Sequence, residues 1–287
     1  IGTIAYNYIE IGTMFPQSGG MSNYAQYTHG SLLGFIAAWA NWVSLVTIIP
    51  IEAVSAVQYM SSWPWEWAKP MGALMKDGSI STIGLFAVYV IIAIFSLLNY
   101  WSVKLLTSFT SLISVFKLGV PLLTIIMLMI SGFDTNNYGH SASAFMPYGS
   151  APIFAATTTS GIIFSFNAFQ TIINMGSEIK NPEKNIARGI AISLTLSAIL
   201  YIVLQSTFIT SMPSSMIHEH GWNGINFNSP FADMAILLGI NWLAILLYVE
   251  AVVSPFGTGV SFVAVTGRVL RAMEKNGHIP KFLGKMN

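Results

Sequence analysis

The stretch ISTIGLFAVYVIIAIFSLLNYW, residues 80–101, decides the fold class. Its twenty-two residues carry no charge, and its apolar side chains form one continuous block. That is neither the stripe of a surface helix nor the alternation of a strand. About 20 apolar residues in a helix cross a hydrocarbon core of roughly 30 Å, whereas barrel strands need only about 9 to 11. Outward from this block lie others of similar kind: Leu32 to Met60, Leu106 to Ser131, Ile153 to Met175, Ile190 to Ile209 and Ala235 to Val269. Ile1 to Phe15 is too short to cross alone and reads as the end of a truncated span, closed by Pro16, Gly19 and Gly20. The expectation is an all-α, polytopic membrane helix bundle with one partial and six complete spans. So many blocks exclude a secretory signal as their explanation.

Composition agrees. Apolar residues make up 54% of the chain and charged residues 8%, with a mean hydropathy of +0.64. A soluble domain uses roughly 25% charged residues, so the partner of this surface is the lipid bilayer. A net charge of +1 gives no reason to expect nucleic acid as a partner. The lack of cysteine excludes disulfides and thiolate metal sites.

Alternate loops sort the cations. Lys104, Lys180, Lys184, Arg188, Arg268, Arg271, Lys275, Lys281 and Lys285 fall on one side, Lys69 and Lys76 on the other, and Lys117 lies within a span. Positively charged loops mark the cytoplasmic side. Loops at 102–105 and 176–189 and the C-terminal end are therefore expected to be cytoplasmic in an inner (plasma) membrane protein. The polar stretches Gly132 to Pro152 and Met212 to Asp233 are expected to be outside lids or linkers.

Charge inside a span costs about 2.5–3.5 kcal/mol, so it normally faces a partner or a wet cavity. Lys117, Glu250 and Glu52 qualify, the last two residues beyond Pro50. They form either a proton- or substrate-coupled group or a structural ion pair. A second signal is TTTSGIIFSFNAFQTIINMGSE, residues 157–178, where Gly161, Ser165, Asn167 and Gln170 interrupt an apolar span. A broken helix at the midplane exposes backbone groups that bind a zwitterion, while small polar residues also serve ordinary helix packing. Ser254-Pro255-Phe256-Gly257-Thr258-Gly259 implies a kink, with the Ser254 and Thr258 hydroxyls open to an ion or a neighbouring helix. His218-Glu219-His220 reads as a solvated loop, since zinc sites need more ligands. No nucleophile elbow, phosphate loop or zinc-protease helix is present, so neither enzyme nor cofactor nor metal is expected.

Four stretches resemble the amino acid–polyamine–organocation family. YIEIGTMFPQSGGMSNYAQY (8–27) is similar to its second span and following loop, and GFIAAWANW (34–42) to its third span. EIKNPEKNIAR (178–188) resembles the loop after the sixth span, and GRVLRAMEKNGHIPKFL (267–283) the loop after the eighth, with Arg268, Gly277 and Pro280 at their spacing. The resemblance implies a leucine-transporter-like fold of two inverted five-helix repeats. The chain is then a single transmembrane domain over 1–287, a fragment from a partial second span to the eighth. The first span and those from the ninth onward are absent from it. The implied substrate is an amino acid held at the midplane by Phe164, Ser165, Phe166, Asn167, Ala168 and Gln170, with Phe164 and Phe166 as aromatic gates. Gln170 stands where some relatives carry a titrating Glu, and Gln cannot titrate. Lys117 aligns with the fifth-span Lys of proton-coupled relatives, where sodium-coupled relatives hold an ion. QYTHG, PIEA and QYM resemble a bacterial subgroup that includes proton-coupled aspartate symporters. The expected function is proton-coupled symport of an amino acid by alternating access. An exchanger without proton coupling and an amino-acid-sensing receptor on the same scaffold are the alternatives.

Overall fold

A computed structural model describes residues 1–101, 103–158, 161–227 and 229–285, with backbone alone at 101, 103–109 and 142–143. Ser102, Thr159, Ser160 and the Lys104 side chain, all used above, lie outside the described set. The chain is helical almost throughout. Its helices are α1 (Gly2–Met14), α2 (Met21–Val46), α3 (Ile48–Ser61), α4 (Thr82–Trp101), α5 (Val103–Ser131), α6 (Ala142–Phe145), α7 (Ala151–Thr158), α8 (Ile162–Ser165), α9 (Thr171–Asn174), α10 (Pro182–Ser211), α11 (Ser214–Gly224), α12 (Pro230–Leu237) and α13 (Asn241–Lys275). A 3-10 segment, Glu66–Leu74, precedes a small hairpin of β1 (Met75–Lys76) and β2 (Ser79–Ile80). Its turn is Asp77-Gly78, both with positive φ (50° and 74°), the backbone that two-residue hairpins need and Asp-Gly supplies.

Five stretches among the described residues are long and apolar enough to cross a membrane: Met21–Ser61, Thr82–Tyr100, Thr110–Ser131, Pro182–Ser211 and Asn241–Lys275. The protein is a multi-pass helical membrane protein. Several expected boundaries shift. Ile153 to Met175 is not one helix but the three short pieces α7, α8 and α9. Ala235 to Val269 divides at Gly239, whose φ is +75°, so the crossing starts at Asn241. The expected loop 176–189 is helical from Pro182, the first residue of α10, a position where a missing N–H costs nothing. The expected loop at 102–105 shrinks likewise, because α5 begins at Val103. Pro50 is the third residue of α3, and the helical ladder is interrupted just before it, at Thr47 between α2 and α3. Pro255 lies within an unbroken α13, the loss of one ladder bond being tolerated there. His218–His220 belongs to the helix α11 rather than to a loop.

Helix α13 is the hub, packing against α2, α3, α4, α5 and α12. In lipid, close packing rather than water exclusion holds helices together, and small residues permit it. Gly259 receives the ring of Phe95 and Gly257 the side chain of Ile113, so α4 and α5 lie directly on the α13 backbone. Phe95, Leu45, Val57, Val260 and Met273 form the buried centre of this cluster. A second cluster, with Leu128, Met234, Leu243 and Tyr248, gathers Trp63 and Trp65 at one end. A third joins α1 to α10 through Ala5, Ile173, Ile186 and Ile190. The outward faces stay apolar, with Phe86 70% and Ile130 74% exposed, as lipid contact requires.

The two ends of the bundle can be read on α13. Trp63 Nε1 donates to the Tyr248 carbonyl at 3.3 Å, and Arg268 pairs with Glu178 at the opposite end. Twenty residues separate Tyr248 from Arg268, about 30 Å along a helix axis and one hydrocarbon thickness. The end beyond Arg268 also holds the start of α10. Lys180, Lys184, Arg188, Arg271, Lys275, Lys281 and Lys285 thus gather on one face, with Lys69 and Lys76 on the other.

Candidate functional site

The interrupted span builds the site. Gly161 takes a left-handed backbone (φ 80°) ahead of α8, which is open to glycine without strain. After Ser165 the chain unwinds through residues 166–170 before α9 begins. Ala168, not glycine, is held at φ 85°, a conformation that costs an alanine about 1–2 kcal/mol. Strained backbone of this kind persists where its surroundings over-determine it and clusters at functional sites.

The unwinding takes polar backbone out of the helical ladder. Among the described residues the N–H groups of Ala168, Phe169 and Gln170 and the carbonyls of Phe166 and Asn167 make no close backbone hydrogen bond, the segment being held only by the weak bonds of consecutive turns. Consecutive N–H groups around a left-handed residue make a concavity that suits an anion, and weakly engaged carbonyls suit an ammonium.

Side chains brace the break on both sides. Tyr201 of α10 donates to the Ser165 carbonyl at 3.2 Å, and its ring meets Phe166 edge-on at 5.3 Å. A file of amides runs the other way. Asn41 of α2 donates to Asn174 Oδ1 at 3.2 Å, Asn174 donates to the Gln170 carbonyl at 3.3 Å, and Gln170 donates to Asn167 Oδ1 at 2.8 Å. Asn174 is wholly buried. With its oxygen engaged, Asn167 keeps its Nδ2 hydrogens for an acceptor. It faces a cavity of about 360 Å³ between the break and α10, where Gly189, Ser193 and Ser197 form the far wall. The hydroxyls of Ser165, Thr171 and Ser193 send their protons back to Ile162, Ala168 and Ile190 carbonyls. Their lone pairs are left for a ligand.

Of the sequence-derived candidates, Ser165, Phe166, Asn167 and Ala168 line this cavity. Gln170 stands behind Asn167, and Phe164 is half exposed on the outer side. Asn41, Asn174 and Tyr201 escaped the sequence reading. The first two carry the same signal as Lys117, a polar side chain within an apolar run. Tyr201 carries none, since a tyrosine in a span is ordinary until its neighbours are known.

The charged candidates form a separate group on α3, α5 and α13. Lys117 is half-buried, and its Nζ donates to Thr258 Oγ1. The carboxylates of Glu52 and Glu250 interact with it electrostatically, and the Ser254 hydroxyl lies beside Glu250. Neither Glu makes a direct ion pair with Lys117 among the described residues. No hydrogen bond among those residues joins this group to the break. Their link is apolar, through Ala168 and Phe256 on one shared cluster.

At the lysine- and arginine-rich end, three of the motif segments meet. Ser18 and Met175 form an antiparallel bridge, and Gly19 N donates to the Asn174 carbonyl at 2.9 Å. Arg268 grips Glu178 with two hydrogen bonds, from Nε to Oε1 and from Nη2 to Oε2 at 2.7 Å. Asn276 Nδ2 donates to the Ser22 carbonyl and to Asn23 Oδ1 at 3.1 and 3.0 Å. The exit of the broken segment is thus clasped to α13 and to the loop after α1.

The sequence model of the family described as amino acid permease matches residues 1–287. The chain is 50% identical to the glutamate/serine transporter AimA of Bacillus subtilis (strain 168) over 99% of its own length and 52% of that protein. It is 36% identical to the aspartate-proton symporter of the same organism, covering 98% of this chain and 52% of the relative. An L-asparagine permease of Salmonella typhimurium is 24% identical over 95% of the chain. The chain spans about half the length of these curated relatives. A family model that covers the whole chain, with relatives matched along nearly all of it, leaves one conclusion: the chain belongs to the amino acid permease family, a family of transporters and not of enzymes.

Proposed function

We propose that the protein containing this chain carries short polar and acidic amino acids across the cell membrane by proton-coupled symport. The observation that carries this reading is the unwound backbone at Ala168–Gln170, whose N–H groups make no close hydrogen bond among the described residues and fit a carboxylate, beside the equally weakly engaged carbonyls of Phe166 and Asn167, which fit an ammonium. The Asn167 amide adds a donor for a side-chain acceptor, carboxylate or hydroxyl alike. The names of the two relatives most informative here, a glutamate/serine transporter and an aspartate-proton symporter, agree with that chemistry.

Lys117 is the proposed proton site. Protonated, it holds α5 to α13 through Thr258; deprotonated, its amine loses charge-assisted hydrogen bonding and the attraction of Glu52 and Glu250. That difference biases the helices between two arrangements, as alternating access requires. Sodium is the alternative coupling ion, taking the Ser254 and Thr258 hydroxyls. The face carrying Arg268 and Lys275 is taken as cytoplasmic on its positive charge.

The test is uptake of labelled glutamate and serine into proteoliposomes of the full-length protein, with and without an inward proton gradient. Accumulation driven by the gradient is expected. Uptake that needs only internal counter-substrate and ignores the gradient would replace symport with exchange.

A further inference from the structure

Arg271 and Lys275 stand one turn apart at the end of α13, and two adjoining cavities share them. One, of about 250 Å³, lies against the clasp; the other, of about 530 Å³, opens toward Lys281 and Lys285. Among the described residues none of these four cations makes an ion pair. Glu178 is committed to Arg268, which leaves Glu274 as the one uncommitted carboxylate in the groove. On the opposite face, by contrast, Lys69 is paired with Glu66 at 2.6 Å.

The groove sits at a defined depth. Arg271 and Lys275 lie about 5 and 10 Å beyond Arg268 along the axis. With Tyr248 and Arg268 taken as the two edges of a hydrocarbon layer of about 30 Å, the headgroup layer beyond each is about 5 to 7 Å thick, so Arg271 falls within it and Lys275 just outside. Beside the cations, Phe282 is 74% and Leu283 47% exposed. A basic groove that begins at headgroup depth with Arg271 and runs outward to Lys275, with an apolar pair at its rim, matches a ligand having a phosphate at one end and acyl chains at the other.

We propose that this groove binds the headgroup of an anionic phospholipid, with Arg271 and Lys275 on the phosphate and Phe282 against the chains. A lipid held there spans α13 and the segment after it, next to the Arg268–Glu178 clasp. The headgroup site is independent of which amino acid the protein carries.

The experiment uses the full-length protein in detergent, followed by native mass spectrometry and thermal shift on titration with phosphatidylglycerol, phosphatidylcholine or inorganic phosphate. Phosphatidylglycerol is expected to bind and to raise the melting temperature, and the other two are not. Each cation near an anionic lipid is worth roughly fivefold in affinity, so Arg271→Gln/Lys275→Gln is expected to bind phosphatidylglycerol about 25-fold more weakly. The control Lys180→Gln/Lys184→Gln, on the same face but outside the groove, is expected to bind it as the parent does. Equal stabilisation by inorganic phosphate would identify a free-anion site and overturn the lipid assignment. Equal binding of both phospholipids, or equal losses in the two double variants, would overturn the groove.

Discussion

Gln170 has one amide whose orientation sets the polarity of the cavity. Its Nε2 donates to Asn167 Oδ1 at 2.8 Å, which turns the Asn167 N–H groups outward. A carboxylate at this position can only accept, so Gln170→Glu is expected to draw those N–H groups back and present the Asn167 oxygen instead. Hydrogen bonds to a charged group contribute about 1.5–3 kcal/mol, so glutamate binding at neutral pH is expected to weaken about tenfold or more relative to serine. The loss should reverse as the pH falls, because the substituted side chain, once protonated, donates as Gln does. Binding titrations with both amino acids across pH check this, and an unchanged glutamate-to-serine ratio would discard the amide argument. Lys117 governs a different property. Lys117→Ala removes the donor to Thr258 without touching the break, so gradient-driven accumulation in proteoliposomes is expected to drop at least tenfold. Substrate affinity in a thermal-shift titration should stay near that of the parent. Accumulation with its pH dependence intact would take the proton site away from Lys117.

At the scale of elements, the short helices α8 and α9 depend on their neighbours. Neither has enough turns to be stable alone, and each is held by Tyr201, by Asn41 through Asn174, and by the clasp. The clasp therefore ties the exit of the break to the hub helix. Glu178 is 44% exposed in its side chain, so its pair with Arg268 contributes about 1 kcal/mol or less to stability. Its larger effect is expected on opening. In Glu178→Gln one arm of the bidentate grip is lost, and a cysteine put at Thr171, which lines the cavity, is expected to react several-fold faster with an impermeant maleimide supplied from the clasp side. Identical labelling rates with and without the substitution would show that the clasp does not restrain that side.

At the scale of the whole molecule, the structure separates a face rich in lysine and arginine from one with two lysines, about 30 Å apart along α13. Which face meets the cytoplasm is testable with single cysteines in a full-length protein otherwise free of them, residues 1–287 holding none of their own. Lys275→Cys and Lys69→Cys should label from opposite sides, with only the cysteine at 69 reactive toward an impermeant reagent outside intact cells. Reaction of the cysteine at 275 from outside would invert the proposed topology.

Residue chemistry that acts locally was legible in the sequence. Uncharged runs such as 80–101 specify lipid-spanning helices, because an unpaired backbone cannot exist in hydrocarbon. Charge sorting by face followed from the same runs, and so did the weak point at Gly161, Asn167 and Gln170, whose residue types interrupt an apolar helix. The motifs around Gly19, Glu178 and Arg268 were visible as well, although not that they touch. Helix limits at Pro182 and Asn241 were misplaced because apolar composition marks where lipid begins, while a helix ends where its caps and packing allow. Only the tertiary structure decided that the break takes Ala168–Gln170 out of the helical ladder, that Asn41 reaches Asn174 across 133 positions, and that Lys117 meets Thr258 rather than a carboxylate. These depend on which faces of distant helices come together. Membrane helices are placed by close packing at small residues such as Gly257 and Gly259, a matter of shape between segments that no single stretch of sequence contains.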